Sequence, residues 1–391
     1  MSLDNIIKET VSLARKIYGD EFIPLHRPVF EGNERQYLID CIDSNFVSSV
    51  GKKVTEFEDK IAEYTGSKYA VATVNGTSAL HIALEVLGVK SDEEVITQSL
   101  TFIATCNAIK YTGADPIFID VDRDTMGMSP KSLLNFLEGN TLKKDGVLVN
   151  KITKKRISAC VPMHTFGNPC RIEEIENICS EWGIPLIEDA AESLGSFYKS
   201  KHTGIFGDIG TFSFNGNKLI TTGGGGMIVT DNKDIAEKAK HISTTAKIAH
   251  PYEFNHDQVG YNYRMPNLNA ALGCAQMERL QEMINIKKHV AKQWQDLYSN
   301  HGIHFVNPID SACSNNWLNA IVLESKDDRD KFLKYTNDND VMTRPIWTLM
   351  SKLEMFKHCH NDGLKNSIWL EERVINVPSS VPDHLLNSHK G

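Results

Sequence analysis

The hydrophobic positions between residues 69 and 230 form short apolar runs, separated by longer segments whose apolar residues recur with helical spacing. The short runs predict buried strands, and the longer segments predict amphipathic helices. The predicted strands are residues 69–74, 94–98, 116–121, 157–163, 184–187, 210–214 and 227–230. Strands and helices in alternation build right-handed β-α-β units, so we predict a mostly parallel central sheet flanked by helices.

The pattern changes after about residue 245. Residues 267–299 predict a long helical stretch, and residues 318–323 and 374–377 predict strands. We therefore predict an α/β protein with two domains. A large domain with an N-terminal helical segment is expected over residues 1–250, and a smaller C-terminal α/β domain over residues 251–391.

Composition and charge narrow the class of protein. A chain of 391 residues with 41% hydrophobic content can bury a sizeable core. The net charge of -8 gives no general attraction to nucleic acid or to an anionic membrane, and no apolar run is long enough to span a bilayer. The eight cysteines lack a C-x-x-C pair or a dense framework. They indicate reduced thiols, so we expect a cytoplasmic protein.

Lys218 and Asp189 carry the clearest chemical signal. Each lies at or just after the end of an apolar strand, where open α/β sheets bind their ligands. A lysine amine forms a Schiff base with an aldehyde cofactor, and a carboxylate keeps a pyridine nitrogen protonated. Alone, Lys218 could be a surface charge and Asp189 a helix cap. Together they predict a pyridoxal phosphate site.

A possible phosphate site precedes them in the chain. Thr77 and Ser78 follow a strand and begin a predicted helix, whose free N–H groups and dipole favour an anion. A plain Ser/Thr helix cap is the alternative. Ser213 is either a further phosphate donor or a residue that bonds only to neighbouring backbone.

Phe102 and the histidines near the C-terminus each allow a functional and a structural interpretation. Phe102 follows another predicted strand and is either a ring that covers a flat cofactor or an ordinary core phenylalanine. The sequence His358-Cys359-His360 does not predict a metal site, because three nearly adjacent ligands without a distant partner rarely complete a tetrahedral site.

A series of motifs in order along nearly the whole chain carries a family resemblance. The motifs are Ile23-Pro24-Leu25, Phe57-Glu58, Asn75-Gly76-Thr77-Ser78-Ala79-Leu80, Pro162-Met163-His164-Thr165-Phe166-Gly167-Asn168-Pro169, Glu188-Asp189-Ala190-Ala191, Gly207-Asp208-Ile209-Gly210, Gly260-Tyr261-Asn262-Tyr263-Arg264-Met265 and Asn376-Val377-Pro378-Ser379-Ser380. The chain resembles the sugar aminotransferases of the DegT-like family, which are fold-type I pyridoxal phosphate enzymes.

The resemblance implies a role for each site residue. Lys218 would be the Schiff-base lysine and Asp189 the partner of the pyridine nitrogen. Phe102 would stack on the ring, and Thr77, Ser78 and Ser213 would surround the phosphate. The resemblance also implies a homodimer with shared active sites, in which Asn262 reaches the neighbouring subunit's phosphate. His164 is expected near the cofactor or as a buried, hydrogen-bonded histidine.

Glu192 departs from the family pattern. The wider family commonly has Gln or His three residues after the aspartate, where the side chain bonds to the cofactor's phenolic oxygen. An ionised carboxylate accepts hydrogen bonds but cannot donate them. Glu192 is therefore expected to be protonated, to point elsewhere or to be bridged by other donors.

The resemblance also implies an activity. The motifs around Lys218 and Asn262 are most similar to the legionaminic-acid-type aminotransferases, which aminate C4 of a nucleotide-linked 4-keto-6-deoxy-N-acetylhexosamine. We expect L-glutamate as the amino donor and a UDP- or GDP-linked sugar as the acceptor. Residues that are candidates for contacting the diphosphate or base are Arg27, Lys247, Arg344 and Trp347.

Three other activities are alternatives to this one. The nearest is a perosamine-type transamination of GDP-4-keto-6-deoxy-mannose. A related dehydratase reaction is disfavoured, because those enzymes have histidine where Lys218 stands. A non-catalytic, cofactor-binding regulator is the alternative of another class, although the chain has no basic stripe or DNA-binding extension.

Overall fold

The computed structural model describes residues 3–387, and its centre is a seven-stranded sheet. The strands, β1 to β7 in chain order, are Tyr69–Thr73, Glu94–Gln98, Asp115–Ile119, Ile157–Val161, Ile187–Asp189, Ile209–Ser213 and Gly226–Thr230. A four-stranded and a three-stranded part are joined by parallel bridges between β4 and β5 and give the order β1-β7-β6-β5-β4-β2-β3. Among these strands only β7 runs antiparallel to its neighbours. The predicted mostly parallel sheet is confirmed.

Thirteen α-helices surround the sheets of the described residues. They are α1 to α13: Leu3–Tyr18, Glu34–Asp43, Lys52–Thr65, Gly76–Val86, Ile103–Tyr111, Pro130–Asn140, Ile172–Trp182, Lys233–Ser243, Asn267–Glu278, Leu280–Asn300, Lys326–Asp338, Lys365–Glu371 and Asp383–Asn387. Every residue of β2, β4 and β7 is buried, as expected for strands of a sheet that helices cover. Across residues 3–387, none of the helices is both long and apolar enough to cross a bilayer.

Two predicted elements have different bounds in the structure. Strand β5 begins at Ile187 rather than at residue 184, because Pro185 has no N–H to donate to a neighbouring strand. The helical stretch predicted over residues 267–299 is two helices, α9 and α10, which meet at Arg279. Arg279 has φ -115° and ψ 5°, which lies outside helical geometry.

A second, smaller sheet lies in the C-terminal part of the chain. Its strands, β8 to β11, are His304–Phe305, Asn319–Val322, Arg344–Pro345 and Val374–Val377. They pair antiparallel in the order β8-β9-β11-β10. Helix α1 packs here, since its Ile7 shares a hydrophobic cluster with Trp294, Phe332 and Ile375. The domain boundary near residue 250 stays a prediction.

The remaining regular segments are short. They are the hairpin of Thr141–Lys144 and Val147–Asn150, the three-stranded group of Phe197–Tyr198, Lys201–His202 and Ala312–Cys313, and the 3-10 turns Thr165–Gly167, Met350–Lys352 and Glu354–Phe356.

Candidate active site

A cavity of about 510 Å³ opens at the carboxyl ends of β5 and β6, beside the beginning of α4. Six of the residues predicted for the site line it: Thr77, Phe102, Asp189, Glu192, Ser213 and Lys218. Strands β5 and β6 are parallel neighbours, so their ends bring Asp189 and the loop of Lys218 to the same edge of the sheet. The arrangement predicted from the strand ends is therefore present.

Asp189 is the last residue of β5 and is almost completely buried. Its Oδ2 accepts a hydrogen bond of 2.6 Å from the Thr105 hydroxyl, and its Oδ1 accepts one of 3.2 Å from the Ala191 N–H. Burial raises the pKa of Asp189, which the hydrogen bond from Thr105 opposes. A buried carboxylate of this kind is stabilised by a nearby cationic N–H, so Asp189 fits a protonated pyridine nitrogen.

Lys218 lies in the loop between β6 and β7, and its side chain points into the cavity. Its Nζ is 3.2 Å from Glu192 Oε1 and 3.9 Å from the centroid of the Trp317 ring. The loop is held by hydrogen bonds from the Lys218 N–H to the Asn215 carbonyl and from the Thr222 N–H to the Phe214 carbonyl. The amine is thus mostly buried and is presented to the cavity by a closed loop.

The beginning of α4 fits a phosphate group. The helix cap is Asn75, whose Oδ1 accepts a 2.8 Å hydrogen bond from the Ser78 N–H, so a Ser/Thr cap is not what begins this helix. Thr77 lines the cavity, whereas Ser78 is buried behind it. A Cβ on Gly76 would lie 2.8 Å from Ser213 Cβ, so only glycine lets Ser213 approach the helix so closely.

Phe102 is not a core residue. Its ring lines the cavity with 48% of the residue exposed, and it lies 6.4 Å from the ring of Trp347. Trp347 in turn lies 5.0 Å from Phe166. The three rings form one aromatic wall, whose Phe102 end is available to cover a flat cofactor. Stacking of Phe102 on the cofactor stays a prediction.

Several residues named from the sequence lie away from the cavity. Asn262 is exposed, and its Oδ1 accepts a 3.1 Å hydrogen bond from Arg264 Nε. Arg27 pairs with Asp383, and the Lys247 amine lies over the Phe254 ring. Of the four candidates for contacting the diphosphate or base, Arg344 and Trp347 line the cavity.

His164 is a buried structural residue of this chain. Its Nδ1 accepts a hydrogen bond from the Cys170 N–H, so Nε2 donates to Glu188, 3.0 Å away. The same Glu188 carboxylate accepts hydrogen bonds from the N–H groups of Gly204 and Gly207. His164 thereby helps to fix the strand that ends in Asp189, which agrees with the second of its two expected roles.

The sequence did not indicate Thr105, Trp317 or His26 as site residues. Both ring nitrogens of His26 are buried. The His26 ring lies 6.5 Å from that of Trp317. Burial lowers the pKa of His26 well below its usual range, and the charges of Lys287 and Lys218 lower it further. Only the fold brings Thr105 to Asp189, Trp317 to Lys218 and His26 to Trp317, so no local pattern could reveal these contacts.

The C-terminal histidines have different surroundings from those of the cavity. His358 and Cys359 lie near Asp115, with the three possible ligand atoms within 4.8 Å of one another. Asp115 already pairs with the amines of Lys110 and Lys155, each at 2.7 Å. Two ammonium groups on the carboxylate oppose a divalent cation, so the cluster gives no support for a metal site.

The fold and the cavity define a class of protein. A seven-stranded sheet of this order, with a lysine amine and a buried aspartate at neighbouring strand ends, is that of a fold-type I, pyridoxal phosphate-dependent aminotransferase. The chain belongs to the DegT/DnrJ/EryC1/StrS aminotransferase family, whose model matches residues 28–384.

Individual relatives cover nearly the whole chain. The GDP-perosamine synthase of Escherichia coli O157:H7 is 36% identical over 364 residues, 92% of this chain and 93% of the relative. That of Vibrio cholerae is 35% identical over 91% of this chain and 94% of its own. The solved structure of the aminotransferase TlmJ from Streptoalloteichus hindustanus superposes on this chain with a TM-score of 0.83. The match covers 92% of this chain and 93% of TlmJ at 24% sequence identity, so it is evidence for the fold only. The predicted family, fold class, type of enzyme and cofactor are confirmed.

Proposed function

We propose that this enzyme transfers an amino group from L-glutamate to C4 of a nucleotide-linked 4-keto-6-deoxy sugar. The acceptor we favour is a UDP- or GDP-4-keto-6-deoxy-N-acetylhexosamine. The product would be a 4-amino-4,6-dideoxy sugar for a bacterial surface glycan of the legionaminic or bacillosamine type. The observation that carries the proposal is the placement of the Lys218 amine and the Asp189 carboxylate in one cavity, in a chain similar throughout to sugar-modifying synthases.

Each cavity residue has a distinct task in the proposed reaction. Pyridoxal phosphate, when bound, supplies an electron sink for the carbon that loses its proton. Asp189 would hold the proton on the ring nitrogen, and the Lys218 amine would carry the proton that moves between carbon atoms. The beginning of α4, with Thr77 and Ser213, would hold the phosphate.

Arg344 and Trp347 are the best-placed residues for the nucleotide. The Arg344 guanidinium is oriented by hydrogen bonds to Asn337 Oδ1 at 3.0 Å and to the Thr343 carbonyl at 3.2 Å. It remains exposed at the cavity wall, where its other N–H groups can meet a diphosphate. Trp347 belongs to the aromatic wall beside it and offers an apolar face for a base.

The second candidate is a GDP-perosamine-type reaction, in which the acceptor is GDP-4-keto-6-deoxy-mannose. The names of the relatives from Escherichia coli and Vibrio cholerae favour it. The two acceptors differ at C2, where one has an acetamido group and the other a hydroxyl. A comparison of the two sugars therefore separates the candidates.

We further propose a homodimer whose two active sites each use Asn262 of the partner subunit. Asn262 faces solvent and does not line the cavity of its own chain. The segment before it exposes Tyr252, Phe254 and Val259, each to about 80% or more. Large apolar side chains grouped on a surface are typical of protein contacts. The described cysteines are all free, which supports action in the reducing cytoplasm.

The proposed function is tested by product formation. The purified protein is supplied with pyridoxal phosphate, L-glutamate and, in turn, UDP- and GDP-linked 4-keto-6-deoxy sugars with either C2 substituent. We expect a 4-amino product from one of them and none from Lys218→Ala. Conversion of the GDP-linked 2-hydroxy sugar alone would establish the perosamine-type reaction. If the protein bound the cofactor but converted none of the sugars, the alternative of a non-catalytic, cofactor-binding regulator would be favoured instead.

A further inference from the structure

The Glu192 carboxylate is held directly against the Lys218 amine. Its Oε1 lies 3.2 Å from Lys218 Nζ, and its Oε2 accepts a hydrogen bond of 2.9 Å from the Phe166 N–H. Phe166 has a left-handed backbone with φ 59°, and its N–H points at the Glu192 carboxylate. The Glu192 side chain is only 1% exposed, so a backbone donor on one side and an amine on the other fix its position.

The charges around this carboxylate are few. Lys218 approaches from the loop after β6, and Asp189 lies at the end of β5. The turn that contains Phe166 contributes only a backbone N–H, and Asn315 bonds to the Glu192 backbone carbonyl rather than to its carboxylate. The Lys218 ammonium therefore contacts the Glu192 carboxylate, while Asp189 adds a second negative charge nearby. Ionising a carboxylate that is buried this deeply is costly, even beside an ammonium group.

Burial favours the neutral, protonated form of the Glu192 carboxyl group. It raises the pKa of Glu192 to about 7, although the charge of Lys218 opposes the shift. In water an ammonium and a carboxylate keep their charges because their pKa values are about 6 units apart. Burial of Glu192 penalises its charged form, so transfer of one proton from nitrogen to oxygen costs less here than in water.

We propose that Glu192 is the proton partner of Lys218. One N–H bond of the Lys218 ammonium breaks and an O–H bond forms on Glu192, which leaves a neutral amine beside a carboxylic acid. The reverse transfer restores the ion pair, and the step needs no other reactant. Glu192 acts through Lys218 and is therefore a positioning residue. A glutamine in its place could bond to the amine but could not take its proton.

The inference rests on the proposed function and is tested on the donor half of the reaction, without any sugar. The rate at which L-glutamate removes the visible absorbance of the cofactor-loaded protein is measured against pH. Glu192 must be ionised to accept a proton, so the rate should rise as the pH passes through about 7. We expect Glu192→Gln to lose this rise and to react about 100-fold more slowly. Glu192→Asp keeps a carboxyl group and should keep the rise.

An infrared difference spectrum gives a second readout. We expect L-glutamate to produce the C=O stretch of a protonated carboxyl group in the wild type, because the freed Lys218 amine takes a proton from the donor and can then pass it to Glu192. The band should persist in Glu192→Asp and be absent from Glu192→Gln. If Glu192→Gln kept the wild-type pH profile or the C=O band, the role assigned to Glu192 would be wrong, but the proposed function would not be affected. A wild type that does not react with L-glutamate would overturn the proposed function and the assignment with it.

Discussion

Two carboxylates at one strand end have different surroundings and therefore different tasks. The oxygens of Asp189 accept hydrogen bonds from Thr105 and Ala191, which carry no charge. The oxygens of Glu192 accept hydrogen bonds from the Lys218 amine and from the Phe166 N–H. Asp189 is thus open to a cation that arrives with the cofactor, whereas Glu192 is already engaged with the lysine. Paired acids that are separated by environment often divide acid and base roles in this way.

Lys287 leads to a prediction about how the free energy of unfolding depends on pH. It is 1% exposed, and its Nζ donates to the Ser379 carbonyl. Burial lowers the pKa of Lys287 from 10.5 to about 7. Between these values the folded protein binds fewer protons than the unfolded chain, so the free energy of unfolding should rise with pH there, by a few kcal/mol in total.

The measurement is urea-induced unfolding at a series of pH values from about 7 to about 10. Lys287→Met removes the titrating amine and should flatten the rise. Lys288 is the next residue on the same helix and is exposed, so Lys288→Met serves as the control and should keep the rise. Equal slopes in all three proteins would show that Lys287 is charged in the folded state.

At the scale of elements, the close approach of α4 and β6 shapes the proposed phosphate site. A Cβ at Gly76 would lie 2.8 Å from Ser213 Cβ and 3.1 Å from its Oγ. Gly76→Ala must therefore push the two elements apart. We expect its affinity for pyridoxal phosphate to fall about tenfold, or about 1.4 kcal/mol, in an absorbance titration.

Gly139 supplies the matched control for this substitution. It lies in helix α6, and a Cβ there meets nothing within 4 Å. Gly139→Ala should leave cofactor affinity unchanged and add about 0.5–1 kcal/mol of stability. If Gly76→Ala bound the cofactor as tightly as Gly139→Ala, the approach of Ser213 to α4 would have no part in phosphate binding.

The sequence predicted elements and strand-end residues better than it predicted contacts. Lys218 and Asp189 could be found because a parallel sheet brings consecutive strand ends to one edge. Apolar runs located all seven central strands, yet the break at Arg279 was missed because the helical pattern continues across it. Trp317 reaches Lys218, and His26 reaches Trp317, only through tertiary packing, which leaves no periodic signal in their own segments.

At the scale of the whole molecule, the position of Asn262 predicts complementation between subunits. Lys218→Ala should be inactive for lack of the amine, and Asn262→Ala should bind the cofactor weakly. In a mixed dimer one site has both Lys218 of its own chain and Asn262 of the partner subunit. After unfolding and refolding together, random pairing should restore about a quarter of the wild-type activity, because half of the dimers are mixed and each has one complete site.

The control is a mixture of the two variants that has not been unfolded and refolded. This mixture should stay inactive as long as the dimers do not exchange subunits. If the refolded mixture showed no activity although sedimentation showed that dimers had formed, the shared active site would be contradicted. Full activity of Asn262→Ala alone would contradict it as well.

The central claim is that Lys218 is the residue to which the cofactor bonds. The most direct test is to reduce the cofactor-loaded protein with borohydride, digest it and locate the modified lysine by mass spectrometry. We expect one reduced pyridoxyl phosphate group, on the peptide that contains Lys218. Attachment to another lysine, or no attachment in a protein that binds the cofactor, would contradict it.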